Sequence, residues 1–210
     1  MIYPATLDIT ILQNSTFRTV FRALENKQTI DSFADNGGAP FFTIDCHGLT
    51  AGDKVVVVPS GTTQAQLPSA SATAPIEVPC GLELNRVYYV ISSGLTSNSF
   101  TVSATSSGNA ITVTSAVLAS GACIAQPVDL TGYTADADLK GLIDNAQVAT
   151  FTCTLVTAAD GLVSVAMTPA TTSGLETGNY GWDVSLTSSG GERYYWLTGT
   201  ATVQRTFSRN

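Results

Sequence analysis

The sequence has few charged side chains, and the basic ones are scattered. Of its 210 residues, 12% are Asp, Glu, Lys or Arg, about half the usual share. Nine Lys and Arg residues spread along the chain do not supply the basic face with which a protein displaces counterions from nucleic acid. With a net charge of -7, the chain is not expected to bind nucleic acid.

Long apolar segments are also missing. No apolar run approaches the roughly 20 residues that a membrane span requires. The first 17 residues lack a basic segment followed by a continuous apolar one, so they do not resemble a secretory signal. We therefore expect no membrane partner, and we expect the chain to fold in a cytoplasm.

The cysteines do not form a C-x-x-C pair. They are Cys46, Cys80, Cys123 and Cys153, and the long gaps between them argue against a zinc site. In a reducing compartment we expect four free thiols. One disulfide among the first three is the alternative if the protein is later exposed to oxygen.

Alternating apolar and polar residues predict β-strands throughout the chain. The clearest examples are Thr6–Leu12 (TLDITIL), Thr16–Leu24 (TFRTVFRAL) and Tyr133–Lys140 (YTADADLK). The last two are expected to pair, although they lie far apart in sequence. Short strands at regular spacing favour β-sandwiches, so the predicted fold class is all-β.

Two breaks divide the pattern. The first is the turn-rich stretch Asp31–Pro40, and the second is Pro127, after which the first pattern resumes. We predict an outer domain of residues 1–35 plus 127–210 and an inserted domain of residues 36–126. Both are expected to be small Ig-like β-sandwiches, the second inserted in a loop of the first.

The inserted segment contains strand-like and loop-like stretches. Residues 55–58 (VVVV) and 85–94 (NRVYYVISSG) predict strands, and Ser106–Asn109 predicts a hairpin turn. Gly61–Pro79 lacks periodicity and is expected to be a long surface loop.

Few residues suggest catalysis. His47, the single histidine, follows Cys46 directly. Neighbouring strand residues point to opposite faces, so these two are badly placed for a nucleophile and base, and a structural role for His47 is expected. No phosphate loop, nucleophile elbow or zinc motif is present. We expect no enzyme activity, no catalytic residue, no cofactor and no metal site.

Carboxylates and aromatic residues are the remaining candidates for contacts. Asp136 and Asp138 share the solvent face of one predicted strand, and Asp183 alternates on another. Paired carboxylates can serve glycoside hydrolysis or calcium binding, but no Asp-rich loop surrounds them, so a solvated face that contacts partners is favoured.

The segment Arg193–Leu197 (RYYWL) predicts one buried and one accessible aromatic face. Strict alternation places Tyr195 with Leu197 and Tyr194 with Trp196. We assign the pair Tyr194 and Trp196 to a possible interface, with a sugar-binding platform as the alternative. Tyr88 and Tyr89 form a second possible ligand platform.

The order of several motifs resembles a recurring domain of tailed-bacteriophage structural proteins. The motifs are LDITILQNSTFRTVFRAL, VDLTGYTADADLK and the long segment from DGLVSV to QRTFSR, with Leu175, Gly178, Tyr180 and Asp183 in the family's order. The resemblance covers about half of the chain. This chain departs from the pattern at Asp136 and Asp138, where the family often has a strand rich in basic residues.

The inserted segment resembles a second module, a small β domain found in phage tail proteins and other virion proteins. Its motifs here are HGLTAGDKVVV, GLELNRVYYVISS and NSFTVSATSSGNAITVTSA. Together the resemblances imply a non-enzymatic structural component of a virion, made in the host cytoplasm. They imply a place in the tail, neck or baseplate, with other virion proteins and copies of itself as partners.

Two alternatives to that place stay open. One is a capsid decoration (cement) protein, and the other is a module that binds a host-surface glycan. We expect the outer domain to dock on the particle and the inserted domain to project.

Overall fold

A computed structural model describes residues 5–36, 39–60, 65–66, 81–112 and 122–206. These residues are mostly β-structure, with mixed parallel and antiparallel pairing. In this part of the chain, helical structure is limited to α1 (Pro169–Ser173) and a 3-10 turn at Ala158–Asp160. The prediction of a mostly β fold is therefore confirmed.

Fifteen strands are present in the described residues. In chain order they are β1 Ala5–Thr6, β2 Ile9–Leu12, β3 Phe17–Thr29, β4 Ser32–Asn36, β5 Ala39–Thr43, β6 Lys54–Pro59, β7 Ala65–Gln66, β8 Val87–Ile91, β9 Ser99–Ser103, β10 Ala122–Pro127, β11 Thr134–Lys140, β12 Gln147–Thr157, β13 Leu162–Met167, β14 Gly178–Thr187 and β15 Arg193–Gln204.

The chain divides into two compact units. The outer unit consists of Met1–Ala23, Thr63–Pro68 and Asp129–Asn210, and the inner unit of Leu24–Thr62 and Ser69–Val128. The first junction therefore lies at residues 23/24, where the sequence predicted 35/36. The reason is β3, whose first half pairs with β13 and whose second half pairs with β10.

In the outer unit, β11 is flanked by β12 and β14. The predicted pairing of β11 with β3 is therefore wrong. A hairpin partner close in sequence occupies one edge of β11, as is usual for consecutive strands. The hydrogen-bonded order is β1, β15, β14, β11, β12, β13 and the first half of β3, and β1 and β2 both run parallel to β15.

The core of the outer unit follows the predicted alternation of β11 and β14. Ala137 and Leu139 are buried, as is Trp182, which is 2% exposed. The indole Nε1 of Trp182 donates a hydrogen bond of 2.8 Å to the carbonyl oxygen of Leu7. Gly199 lies against the same carbonyl, and a Cβ there would collide with it, so this position requires glycine.

The inner unit has the order β3 (second half), β10, β6, β8, β9, β5, β4. The strand β6 is buried on both faces, as its unbroken run of valines predicts. Val55 and Val57 join an apolar cluster in which Phe42 and Phe100 stack with ring centroids 4.9 Å apart. Val56 joins a second cluster on the other face.

Some predictions fall outside the described residues. They include most of the proposed surface loop at Gly61–Pro79, the residue Cys80 and the end of the strand proposed after Asn109. Cys46, Cys123 and Cys153 are described, and all three are free thiols.

Candidate functional site

Three carboxylates of the outer unit share one polar sheet face. Asp138 lies opposite Asp183 in the register of β11 and β14, and opposite Thr150 in the register of β11 and β12. Asp136 follows the same side of β11 and is exposed. We call Asp136, Asp138, Lys140 and Asp183 the polar face. Like charges directly opposite each other destabilise a sheet unless a cation offsets them.

Lys140 supplies that cation. Its Nζ lies 2.7 Å from Oδ2 of Asp183, and both side chains are about a fifth exposed, at 23% and 20%. The hydrogen bond to Asp183 raises the pKa of Lys140, and the charges of Asp183 and Asp138 raise it further, while partial burial opposes them. Thr150 Oγ1 donates to Asp138 Oδ1 at 3.4 Å. The face thus contains the ion pair Lys140–Asp183 and a hydrogen bond from Thr150 to Asp138.

The aromatic segment of β15 differs from its predicted alternation because it contains a β-bulge. Leu197 pairs with Val184 and Tyr195 with Ser185, so Trp196 is an extra residue without a partner in β14. Trp196 and Leu197 are consequently both buried, at 5% and 1% exposed, while Tyr195 is 46% exposed. The assignment of Trp196 to a surface pair is therefore corrected: its ring belongs to the core.

Tyr195 takes the exposed position that the sequence gave to Trp196. The guanidinium Cζ of Arg193 lies 5.5 Å from the centroid of its ring, and Arg193 Nε donates to Ser185 Oγ at 2.9 Å. Arg193 and Tyr195 thus extend the polar face along β15.

Tyr194 is partly exposed, and its role at an interface stays a prediction. Its hydroxyl donates to Glu192 Oε2 at 2.5 Å. This hydrogen bond is the largest cause of the raised pKa of Tyr194. With Trp196 in the core, Tyr194 stands without the partner that the sequence proposed.

The hairpin loop between β11 and β12 presents two apolar side chains to solvent. Leu142 is 61% exposed and Ile143 is fully exposed, at 102%. We call these two residues the hairpin tip. The loop around them is closed by the bonds Gly141 N to Ala146 O (2.9 Å) and Asn145 N to Gly141 O (3.1 Å). The exposed pair is therefore held in one backbone arrangement.

The hairpin tip adjoins the polar face. A Cβ built on Gly181 would lie 3.7 Å from Leu142 Cδ2, and Gly181 pairs with Lys140. The sequence carries a signal for this tip, because an apolar pair stands between Gly141 and the turn formers Asp144 and Asn145.

Cys153 borders the carboxylates from β12. Burial raises its pKa to about 11, and the charges of Asp136 and Asp138 contribute to this rise. The thiol is therefore protonated at neutral pH, and the thiolate is the nucleophilic form of cysteine. The geometry disfavours a nucleophilic role for this residue.

The proposed platform in the inner unit is not formed by the tyrosine pair. Tyr88 is fully buried at 0% exposure, and its hydroxyl accepts a hydrogen bond of 2.7 Å from Glu83 N. Tyr89 lies on the other side of β8, opposite Lys54 and Ser103. Alternation in β8 separates the rings, so the assignment of Tyr88 to an accessible surface is corrected, and a role for Tyr89 stays a prediction.

His47 and Cys46 also separate. His47 is buried at 4% exposure, and Cys46 is exposed with a positive φ of 52°. Among the described residues, no group of three or more His, Cys, Asp and Glu side chains could hold a metal ion. Within the same ranges, the structure has no helix with the length and apolar character of a membrane span.

Comparisons with known proteins give little support for any relationship. No protein-family model matches the chain, and no curated protein matches it. Among solved structures, it is similar to AggA, the major subunit of aggregative adherence fimbriae type I from Escherichia coli. The identity is 11%, the match covers 96% of this chain and 91% of that one, and the TM-score is 0.20. Such a low score carries no argument about fold or function.

Proposed function

We propose that the protein is a non-enzymatic structural component of a tailed-bacteriophage virion that assembles through protein contacts in the tail, neck or baseplate. The observation that carries the proposal is the hairpin tip, where Leu142 and Ile143 are 61% and 102% exposed on a hydrogen-bonded loop. Burying an aliphatic side chain of this size contributes roughly 1.5–3 kcal/mol. Contiguous apolar surface rimmed by polar residues marks interaction sites, and here two adjacent apolar side chains border the polar face.

The turn that carries the family motif supports the proposal. In the segment Asp129–Tyr133, Asp129 Oδ1 accepts from Thr131 N at 2.8 Å, and Gly132 has a φ of +80°. Leu130 is fully buried, and its amide donates to Ala158 O at 2.9 Å. The motif residues thus build the turn that starts β11, as expected of residues that define a scaffold rather than a catalytic site.

The two units are proposed to be small Ig-like β-sandwiches, the inner one inserted into the outer. The partners of β12 support this organisation. Residues 147–151 pair with β11, whereas residues 152–157 pair with β13. A strand that changes partners along its length is one way in which two packed sheets share a corner.

Incorporation into particles tests the proposal. The phage that encodes the chain would be grown with the wild-type protein, with Ile143→Asp or with Val156→Asp, and purified particles would be quantified by mass spectrometry. Val156 is the matched control, because it is 49% exposed on β12. We expect the wild type and Val156→Asp in particles, with Ile143→Asp reduced at least about tenfold, since an aspartate cannot enter an apolar pocket.

Two outcomes would contradict the proposal in different ways. If the wild-type protein is absent from purified particles, the virion role is wrong. If Ile143→Asp is incorporated normally, the virion role stands and the hairpin tip is not the contact. Immunogold labelling of particles then locates the protein, and a label confined to the head would overturn the tail, neck or baseplate position.

A further inference from the structure

The first half of β12 has an edge along which no described strand lies. Residues 147–151 pair with β11 on one edge, whereas residues 152–157 pair with β13 on the other. We call the second edge of residues 147–151 the open edge. Its backbone N–H and C=O groups that point away from β11 are those with which a further strand could pair.

The open edge exists because β13 ends before it. The strand β13 ends at Met167, and its pairing with β12 extends no further than Thr152. The side chain of Thr168 then caps α1, and Pro169 is the first residue of that helix. Proline has no N–H to donate to a strand. The chain therefore turns away from β12 at the point where the open edge begins.

The open edge has few of the features by which edge strands avoid pairing. Its sequence, QVATF, contains no charged residue and no proline. One such feature is present, a bulge at Val148, which has no partner in β11. By contrast, the first half of β3 contains Arg18, and β4 contains Asp35. The open edge is thus an uncharged edge, suited to accept a strand.

The open edge is complementary to a second copy of itself. Two copies of one strand that are related by a two-fold axis run antiparallel, so that each supplies hydrogen bonds to the other. All five residues pair when Ala149 lies on the axis. Val148 of each copy then lies opposite Thr150 of the other. Both side chains are exposed and β-branched, and such side chains pack well across a pleated sheet.

The distribution of charge also favours a second copy at this edge. The chain has a net charge of -7, so two copies repel each other over much of their surface. The open edge is uncharged, and Asp138 lies one strand away, opposite Thr150. In the paired arrangement the two Asp138 side chains are three strand spacings apart, roughly 14 Å or more. This separation exceeds the Debye length of about 8 Å at physiological salt.

We propose that two copies of the chain pair through the open edges of their β12 strands and form a symmetric dimer. A contact of five residues from each copy is smaller than a standard interface of about 20–30 residues a side, so the dimer dissociates on dilution. Pairing occupies the open edge of both copies, and assembly through it stops at two. The inference goes beyond the proposed virion role and does not depend on it, because it concerns the purified chain.

Sedimentation equilibrium of the purified full chain, from about 1 µM to about 1 mM, tests the pairing. We expect reversible dimerisation of the wild type. Val148→Lys should weaken it at least about tenfold, although the added lysine reduces the net negative charge. Val156→Lys is the matched control and should dimerise like the wild type. Val156 is 49% exposed, compared with 44% for Val148, and it also lies at a register shift, but β13 already pairs with its half of β12.

The variant Ile143→Asp separates the open edge from the hairpin tip. It should still dimerise, and loss of the dimer in Ile143→Asp with retention in Val148→Lys would assign the contact to the tip. A wild type that remains monomeric up to about 1 mM would overturn the proposal. Assemblies that grow beyond two copies would contradict a contact closed by a two-fold axis.

Amide hydrogen exchange, measured by nuclear magnetic resonance, provides a second test that needs no variant. In a concentrated sample, the amides of residues 147–151 that point away from β11 should exchange at least about tenfold more slowly than in a dilute one. The amides of residues 152–157 should not change, because this half of β12 already pairs with β13. Unchanged exchange at residues 147–151 in a dimeric sample would place the contact elsewhere and refute the proposal.

Discussion

The two units differ in how their strands are buried. In the outer unit, β11 alternates between buried and accessible residues, so one side of the sheet is available for contacts. In the inner unit, β6 is buried along both faces, and its valines contribute to two apolar clusters. The same chain thus contains a unit with an open polar face and a unit whose central strand is enclosed. We infer that surface recognition belongs mainly to the outer unit.

The largest expected effect comes from truncating the central side chain of each unit. Trp182→Ala is expected to lower the free energy of unfolding of the outer unit by about 3–5 kcal/mol, because it leaves a cavity and an unpaired Leu7 carbonyl. Phe100→Ala, which removes the stack on Phe42, is expected to have a similar effect on the inner unit. Urea titration followed by amide exchange distinguishes the two units.

The control for this prediction is Tyr195→Ala, which removes an exposed ring and is expected to change stability by less than about 0.5 kcal/mol. If each truncation destabilises both units equally, the two units unfold together. That result would contradict the prediction that each core stabilises its own unit.

A medium effect is expected at Gly199 in the outer unit. Gly199→Ala places a Cβ against the backbone carbonyl of Leu7, and overpacking of this kind costs roughly 1–3 kcal/mol. Gly190→Ala is the matched control, because its Cβ would meet only Ser188 Oγ at 3.7 Å. Calorimetric unfolding midpoints measure the stability of both variants. If Gly199→Ala is as stable as the wild type, the segment before β2, which contains Leu7, can move away from the added Cβ.

A smaller effect is expected at Tyr88 in the inner unit. Tyr88→Phe removes the acceptor for Glu83 N and is expected to cost about 1 kcal/mol at pH 8. Burial is the main cause that raises the pKa of Tyr88 above 10.0. The neutral hydroxyl therefore stabilises the fold below pH 10, and this contribution is lost as the pH rises through the raised value.

Urea midpoints at pH 8 and pH 11 check the prediction for Tyr88. The stability difference between wild type and Tyr88→Phe should shrink at the higher pH. Tyr89→Phe serves as the control with little change at either pH, and a constant difference for Tyr88→Phe would contradict the titration argument.

The smallest effect is expected for the ion pair on the polar face. A double-mutant cycle of Lys140→Met and Asp183→Asn should give a coupling free energy of about 0.2–1 kcal/mol that decreases with added salt. Because the pKa of Lys140 is raised above its usual 10.5, the coupling persists from neutral pH to pH 10.5 and is lost as the pH rises through the raised value. A coupling that is insensitive to 1 M salt would show that the pair is more enclosed than its 23% and 20% exposure indicates.

The alternation of apolar and polar residues predicted burial or exposure correctly where a strand is regular. Asp136 and Asp138 lie on the accessible side of β11, because side chains alternate along that strand. The strand predicted at Val55–Val58 is also present, as part of β6. His47 was expected to be structural, and its buried ring is hydrogen-bonded to backbone groups.

The sequence could not place residues whose position depends on a partner strand. The bulge at Trp196 arises only from pairing with β14 and shifts the exposed aromatic position to Tyr195. The division of β3 between two partners moved the first junction from 35/36 to 23/24 in the same way. Tyr88 differs, because the predicted joint platform ignored the alternation that places Tyr88 and Tyr89 on opposite faces of β8. Which of the two residues faces the core depends on packing.

The extra residue in β15 also marks a position at which related chains are expected to differ in length. Leu197 and Tyr195 pair with consecutive residues of β14, Val184 and Ser185. A chain that lacks Trp196 would therefore keep both flanking pairs and align with this one through a single-residue gap. Such a deletion would join the two halves of β15 into one regular strand, and it would leave the order of the surrounding strands unchanged.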